Sequence, residues 1–289
     1  MKKTLVLLLL LVLCALAHAK KPPGVLLLLD GTGSAGKSSI GRELQSSLKQ
    51  AVFLNEEMLV FNAYNDLLRK HKLQPPKPLH NIGEMIRYRQ TLPGAAQAVL
   101  KQEFKLTSDA YIQRDTRRLI RQSMGQGHPI IILDNTLWKP ELVQKWHEET
   151  RGYNTLHVLV YCPLNNLLEH IQKRNRAPQS YEHRDLSLPL EMYFSMYTPA
   201  PRGIDTLERS KVKRDLRACF AYQKTLTGRT PPDSLQQTYL HRFHLDVQGK
   251  VQIAPFFAYD LVVNTGTSSP RACAAQIQSR LFANQVPLR

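Results

Sequence analysis

The sequence predicts an α/β fold, in which a parallel sheet carries helices on both faces. Short, mainly apolar runs recur along the chain, as is typical of strands buried on both faces, and most are followed by helical spacing of apolar residues. The runs are Val25 to Leu29, AVFLN from Ala51, PIIILDN at 129–135, TLHVLVYCP at 155–163 and YDLVVNT at 259–265. Strands that alternate with helices in this way favour a parallel sheet covered on both sides.

Two long stretches do not follow the alternation. Residues 59–123 have a mostly helical pattern, interrupted by QPPKPLH at 74–80 and by Pro93 and Gly94. Residues 177–250 contain a charged helical segment between proline-rich stretches and no apolar run of the kind described above. We predict that 177–250 is a helical insertion over one edge of the sheet, forming a lid or substrate region within a single domain of residues 20–289.

The first 19 residues have the pattern of a secretory signal peptide. Lys2 and Lys3 precede an apolar stretch from Leu5 to Leu16, and Ala17-His18-Ala19 is typical of a cleavage site. The pattern predicts export, to the periplasm or out of the cell, with no stable membrane span once the signal is removed. An uncleaved anchor stays open, although the apolar run is shorter than the roughly 20 residues that span a bilayer.

Charge and cysteine content limit the class of protein further. Thirty-nine Lys and Arg residues against 23 Asp and Glu give a net charge of +16, which favours anionic partners such as nucleotides, nucleic acid or acidic lipid. Beyond the signal the cysteines are Cys162, Cys219 and Cys273. Three is an odd number, which argues against a disulfide scaffold, while a single bridge stays open.

The most specific motif is a phosphate-binding loop after the first predicted strand. The sequence from Gly31 to Ser38 satisfies G-x-x-x-x-G-K-[ST], and helical spacing begins at Lys37. In such a loop, backbone N–H groups surround phosphate oxygens, the lysine contacts the β- and γ-phosphates, and the serine hydroxyl is a ligand of Mg²⁺. A plain glycine-rich turn is the alternative. The predicted nucleotide-binding residues are Gly31, Thr32, Gly33, Ser34, Ala35, Gly36, Lys37, Ser38 and Ser39.

The extended string GTGSAGKSSIGRELQ resembles the start of the chloramphenicol phosphotransferase-like family of P-loop kinases. IIILDNTLW at 130–138, VLVYCPLNNLLEHIQKR at 158–174 and YDLVVNTGTSSPRACAAQI at 259–277 are also similar to that family. The resemblance implies a P-loop kinase fold that transfers the γ-phosphate of ATP, with Mg²⁺, to a hydroxyl group. The acceptor, and the choice between ATP and GTP, are left open.

Carboxylates are expected at two strand ends. The family has an aspartate just beyond the second strand as the hydroxyl-orienting base, and this chain has Glu56 and Glu57 there. A surface acidic pair is the alternative. Asp134 ends the third predicted strand, where a carboxylate lies beside the loop lysine and Mg²⁺; we therefore predict Ser38 and Asp134 as metal ligands. The alternative for Asp134 is a helix N-cap.

The resemblance also places the lid arginines. The family has them after the helix that begins near Asn165, where this chain has Arg174 and Arg176, with Arg184 as a further candidate. Basic residues at a helix C-terminus are also common for dipole reasons alone. The loop from Asn264 to Ser268 is expected to approach the adenine or ribose, although Asn264 replaces the aspartate of the family.

Several alternatives remain at this point. The chain could bind nucleotide without transferring phosphate, because both family aspartates are replaced, or it could be a secreted basic protein that binds host nucleic acid or membranes. The helically spaced Arg114, Arg117, Arg118 and Arg121 could follow a phosphate backbone, but no nucleic-acid-binding module accompanies them and a solvated helix face is the simpler interpretation. An exported kinase would need ATP, and delivery into a host cell is one hypothesis. A small molecule is the favoured acceptor, and a host protein is the other.

Overall fold

The computed structural model describes residues 24–80, 82–176 and 186–283, and all structural statements below refer to these residues. The predicted signal peptide and Arg184 lie outside them. Within the helices, the side chains at positions 56, 57, 82, 108, 109 and 111 are also not described.

A five-stranded parallel sheet forms the centre of the molecule, as the sequence predicts, in the order β2-β3-β1-β4-β8. Every residue of β3 is buried, and β1 is buried from its second residue onward, because helices cover both faces. The described strands are β1 (Val25–Asp30), β2 (Ala51–Leu54), β3 (Ile130–Asp134), β4 (Asn154–Tyr161), β5 (Tyr197–Pro199), β6 (Asp205–Glu208), β7 (Lys250–Pro255) and β8 (Leu261–Asn264).

The helices lie between the strands and cover the sheet. The predicted interruptions at 74–80 and at Pro93 separate three helices in the connection between β2 and β3. The described helices are α1 (Lys37–Ser47), α2 (Glu56–Lys70), α3 (Ile82–Thr91), α4 (Gly94–Gly125), α5 (Pro140–Glu149), α6 (Leu164–Arg176), α7 (Ser187–Met196), α8 (Arg209–Thr227), α9 (Asp233–Arg242) and α10 (Pro270–Ala283).

The register of the sheet brings the ends of β1 and β3 together. Leu29 pairs with Asp134, and Asp30 pairs with Leu159 of β4. Because parallel strands end at the same edge, the loop that follows β1 starts directly beside the carboxylate that ends β3. This edge is where open α/β sheets bind ligands.

The insertion differs from the prediction in one respect. The predicted helical insertion contains three helices, α7 to α9, but β5 and β6 also form within it. Both strands pair antiparallel with β7, giving a second, three-stranded sheet in the order β5-β7-β6. The strands have three and four residues, too short for an alternating pattern to be recognised.

Apolar side chains of the insertion continue the main core. Tyr193, Phe194 and Met196 of α7 are fully buried and belong to the same cluster as Leu27 and Leu29 of β1. The insertion is therefore packed onto the nucleotide-binding sheet. Among the described residues, no helix is both long enough and apolar enough to cross a bilayer.

Candidate functional site

The phosphate-binding loop joins β1 to α1 and needs glycine at two points. Gly31 has φ +148°, and a Cβ built on it would lie 2.5 Å from the carbonyl oxygen of Val160. Gly36, the N-cap of α1, has a left-handed φ of +101°. Ser34 is also left-handed, with φ 70°. The alternating backbone conformations turn the loop into a concave surface in front of the N-terminus of α1, the geometry that binds anions.

Lys37 is held across this loop by several acceptors. Its Nζ donates to the carbonyl oxygens of Gly31 and Thr32 at 2.8 and 3.0 Å, and to Oγ1 of Thr136 at 3.1 Å. The same ammonium lies 3.8 Å from Oδ1 of Asp134. The Lys37 side chain is 6% exposed, so the positive charge is fixed where the phosphates of a nucleotide would lie.

Ser38 and Asp134 form a pair of oxygen donors beside the lysine. The Ser38 hydroxyl donates to Oδ2 of Asp134 over 2.5 Å. Mg²⁺ takes oxygen ligands and commonly binds through one or two protein groups together with substrate phosphates. The two side chains therefore fit a Mg²⁺ site of that kind, and the N-cap alternative for Asp134 is not observed, since Lys139 is the N-cap of α5.

Two loop hydroxyls are buried without a partner. Thr32 Oγ1 and Ser34 Oγ have no hydrogen-bond partner in the structure, and Thr32 is fully buried. Unpaired buried polar atoms are rare and call for a ligand or water. Their position in the loop fits a phosphate as the missing partner. Of the other predicted binding residues, Gly33 is half-buried, Ala35 is buried and Ser39 is exposed on α1.

The loop after β8 contacts the phosphate loop directly. Thr265 Oγ1 donates a bond to the carbonyl oxygen of Ala35 at 3.0 Å, and it lies 3.1 Å from that of Tyr161. A Cβ on Gly266 would lie 2.6 Å from the Pro163 ring, so this loop also packs against the start of α6. The segment predicted to approach the nucleotide therefore borders its phosphate-binding loop.

Helix α6 is attached to the loop through a histidine that the sequence analysis did not select. His170 Nδ1 lies 3.1 Å from the carbonyl oxygen of Ser34. Arg174 follows His170 by four residues, so both lie on one face of α6. Arg174 and Arg176 are exposed near the end of this helix. The structure places the arginine-bearing helix against the phosphate loop, while the lid role of the arginines stays a prediction.

Glu56 and Glu57 begin α2, directly after β2. The Asn55 side chain caps this helix, accepting a bond from the Met58 amide at 2.7 Å. The two glutamates thus lie in the first turn, at the carboxyl edge of the sheet. Their side chains are outside the described part of the structure, so their catalytic role stays a prediction.

Arginines of helix α4 form ion pairs with neighbouring carboxylates. Arg114 Nη2 lies 2.6 Å from Asp66 and 3.2 Å from Asp115, and Arg117 lies 2.8 Å from Glu149. Arg118 lies 3.8 Å from Asp115. These contacts support the interpretation of a solvated, paired helix face.

Asp30 lies beside the site, although no motif in the sequence indicates it. It ends β1, is fully buried, and accepts hydrogen bonds from the Gly31 and Leu137 amides and from the Tyr259 hydroxyl. Burial raises the pKa of its carboxyl group, and the hydrogen bonds and Lys37 act in the opposite direction. Its position directly before the loop pattern is the signal that could have identified it.

His157 of β4 lies behind Asp30. Its Nε2 atom is buried without a hydrogen-bond partner, 3.8 Å from Oδ2 of Asp30. Burial lowers the pKa of the imidazole to about 3, with a further contribution from the neighbouring His147. The ring is therefore neutral at ordinary pH.

A parallel sheet of this strand order, with a G-x-x-x-x-G-K-S loop after its first strand, defines a P-loop nucleotide-binding protein. A family model described as an AAA domain matches residues 26–195, more than half of the 289 residues. The chain therefore belongs to this AAA domain family. No curated protein matches the chain in sequence at a significant level.

Three solved structures are similar in outline. The tunicamycin resistance protein of Deinococcus radiodurans is 9% identical, with a TM-score of 0.40 over 90% of this chain and 96% of that chain. The shikimate kinase of Acinetobacter baumannii, in complex with shikimate, is 11% identical, with a TM-score of 0.38 over 92% and 97%. The Mycobacterium tuberculosis APS kinase CysC is 14% identical, with a TM-score of 0.36 over 90% and 99%. The fold assignment rests on the strand order and the phosphate-binding loop of this chain.

Proposed function

We propose that this protein transfers the γ-phosphate of ATP to a hydroxyl group of an acceptor. The observation that carries the proposal is the convergence of Lys37, Ser38 and Asp134 on one phosphate-binding loop. Structural glycine turns do not bring a buried lysine, a hydroxyl and a carboxylate together at the carboxyl edge of a parallel sheet. The same edge is where ligands bind in such folds.

The binding step follows from the geometry of the loop. The N-terminus of α1 and the unpaired Thr32 and Ser34 hydroxyls accommodate phosphate oxygens. Lys37 keeps its bonds to Gly31 and Thr136 and exchanges the carbonyl oxygen of Thr32 for phosphate oxygens, and this exchange compensates the charge that develops on the transferred group. Ser38 and Asp134 would hold Mg²⁺, which supplies charge neutralisation between the phosphates when it is bound.

In the transfer step, the acceptor hydroxyl attacks the γ-phosphorus. A new O–P bond forms, the bond between the γ-phosphorus and the β–γ bridging oxygen breaks, and ADP leaves with that electron pair. Glu56 or Glu57 takes the hydroxyl proton, since both lie in the first turn of the helix after β2. Arg174 and Arg176 on α6 compensate charge from the opposite side and exclude water.

The acceptor is proposed to be a small molecule bound between the helices of 56–125 and the insertion.

The sequence pattern also motivates a proposal about location: residues 1–19 direct export, and the mature chain begins at Lys20. N-terminal mass analysis of the protein from its native cell tests this proposal. An intact Met1 terminus in cytoplasmic protein would contradict it.

The nucleotide proposal is tested by thermal unfolding of residues 20–289 with and without Mg-ATP. Ligand at 100 times its dissociation constant adds about 2.7 kcal/mol to the free energy of unfolding. We expect this shift in the wild type and its loss in Lys37→Ala. Lys49→Ala is the matched control, because Lys49 is exposed just beyond the end of α1.

Transfer is then tested with γ-labelled ATP and panels of hydroxyl-bearing small molecules. Label that moves to an acceptor in the wild type and not in Lys37→Ala supports a kinase. A Mg-ATP shift without transfer to any acceptor, water included, would favour a nucleotide-binding protein that lacks transferase activity. No shift with Mg-ATP or Mg-GTP would reject the proposal.

A further inference from the structure

Asp30 connects three separate segments of the chain at the base of the phosphate loop. Its Oδ1 atom accepts the Gly31 amide at 2.7 Å and the Leu137 amide at 2.8 Å. Its Oδ2 atom accepts the Tyr259 hydroxyl at 2.7 Å. Gly31 begins the loop, Leu137 lies just after β3, and Tyr259 lies just before β8.

These bonds fix the two segments that hold Lys37. The Lys37 ammonium donates to the carbonyl oxygen of Gly31 and to Oγ1 of Thr136. Gly31 is bonded to Asp30 through its own amide, and Thr136 is adjacent to Leu137, which is bonded to the same carboxylate oxygen. A single atom, Asp30 Oδ1, thus sets the distance between two of the three hydrogen-bond acceptors of Lys37.

The cost of burying Asp30 argues for a specific role. The carboxylate is fully buried, and the positive charge of the loop lysine acts on it. Buried carboxylates are expensive unless they are paired and hydrogen-bonded. An apolar residue would suit the end of a buried strand equally well for packing, but it would leave two buried amides without an acceptor.

We propose that Asp30 is a positioning residue for phosphate binding and transfer, acting on Lys37 through Gly31 and Thr136. The carboxylate holds the start of the phosphate loop and the segment after β3 at the spacing that the lysine requires. Tyr259 extends the same contact to the segment between the insertion sheet and β8. This inference deepens the proposed function and rests on it.

The test compares three variants for Mg-ATP affinity, measured by titration at a temperature where each is folded. Asp30→Asn keeps an oxygen for both amides, and the Tyr259 hydroxyl can accept from its amide group, so we expect a Kd within about threefold of the wild type. Asp30→Ala leaves two buried amides unpaired, and we expect a Kd at least about tenfold higher. Tyr259→Phe keeps both amide bonds and should resemble Asp30→Asn.

A double-mutant cycle separates positioning from general stability. Thr136→Ala removes one acceptor of Lys37, and its effect should be smaller in the Asp30→Ala background, because Thr136 is already displaced there. The proposal would be overturned if Thr136→Ala raised the Kd by the same factor in the wild type and in Asp30→Ala. It would also be overturned if Asp30→Ala bound Mg-ATP as tightly as the wild type.

Hydrogen exchange at the Gly31 and Leu137 amides provides a readout that needs no nucleotide. We expect faster exchange at both amides in Asp30→Ala and near wild-type exchange in Asp30→Asn and Tyr259→Phe. If Asp30→Ala does not fold, Asp30→Asn supplies the test. Faster exchange at these two amides in Asp30→Asn, without a change in the Kd for Mg-ATP, would contradict the proposal. If the wild type binds neither Mg-ATP nor Mg-GTP, the proposed function fails separately. Unchanged exchange in Asp30→Ala would then reject the positioning role as well.

Discussion

The Ser38 hydroxyl lies 2.5 Å from Oδ2 of Asp134, although 96 positions separate the two residues in the chain. Parallel pairing of β1 with β3 produces this contact, because Leu29 and Asp134 are partners in the register. On the proposed function, the pair would exchange its mutual hydrogen bond for a shared divalent cation.

We expect Ser38→Ala and Asp134→Asn to remove the magnesium dependence of nucleotide binding. In the wild type, Mg²⁺ should raise the affinity for ATP, because the metal joins the phosphates to these two oxygens. In each variant the Kd in the presence of Mg²⁺ should approach the Kd measured in EDTA. Isothermal titration with and without Mg²⁺ measures both values.

Ser46→Ala is the control for this experiment. Ser46 lies on the same helix, is exposed, and bonds only to the carbonyl oxygen of Glu43. Its magnesium dependence should equal that of the wild type. A Ser38→Ala variant with the full magnesium effect would show that the metal is held elsewhere.

Gly41→Ala should destabilise the protein through packing alone. A Cβ at this position in α1 would lie 2.4 Å from the Phe53 ring on β2, so either the ring or the helix would have to move. Overpacking of this kind costs about 1–3 kcal/mol. Gly125→Ala, at the end of α4 with open space around it, should be neutral or stabilising by up to about 1 kcal/mol. Chemical denaturation measures the free energy of unfolding of both variants. A Gly41→Ala variant as stable as Gly125→Ala would argue against the close packing of Gly41 on Phe53.

His157 should make the stability of the protein sensitive to acid. Its folded pKa of about 3 lies below the ordinary value of 6.5, so the unfolded chain binds a proton that the folded chain does not. The contribution is complete above pH 6.5 and is lost as the pH falls toward 3, with a slope of up to about 1.4 kcal/mol per pH unit. His157→Gln should flatten the fall in the free energy of unfolding across this range.

His80→Gln is the matched comparison for acid sensitivity, because His80 is exposed. It should leave the slope of stability against pH unchanged. An identical slope in the wild type and in His157→Gln would mean that the imidazole is not buried as described.

The three described cysteines should be free and protected thiols. Cys162, Cys219 and Cys273 are buried and unpaired, and burial raises the pKa of Cys162 and Cys219 to about 12. Because the thiolate is the reactive form, iodoacetamide should label them only after unfolding. The intact mass under non-reducing conditions checks that the thiols are free. A loss of two hydrogens would reveal a disulfide and contradict the structure.

The main sheet and the phosphate loop were predictable because their signals are local. A strand buried on both faces must be apolar throughout, and the loop needs glycines at fixed offsets from its lysine. Five strands, the helix after the loop and the breaks near 74–80 and Pro93 were therefore all found. Asp134 was recognised for a related reason, since its place at a strand end fixes its edge of the sheet.

The contacts that support the site were not predictable from the same patterns. The hydrogen bonds from Leu137 to Asp30, from Tyr259 to Asp30 and from Thr265 to Ala35 each join residues more than 100 positions apart. Thr136 accepts from Lys37 across 99 positions. No periodicity encodes such pairs. The three-stranded sheet of the insertion was missed because β5 and β6 are very short and pair with β7, which begins at Lys250, the last residue of the predicted insertion.

The connection between β2 and β3 holds α2, α3 and α4, although the two strands are immediate neighbours in the sheet. The chain leaves the sheet at Leu54 and returns at Ile130 beside the strand that it left. A detour of this kind leaves and rejoins the sheet through two adjacent points, so its length can change without altering the register of any strand. On the proposed function, acceptor preference could diverge in this segment while the groups that hold the nucleotide stay in place.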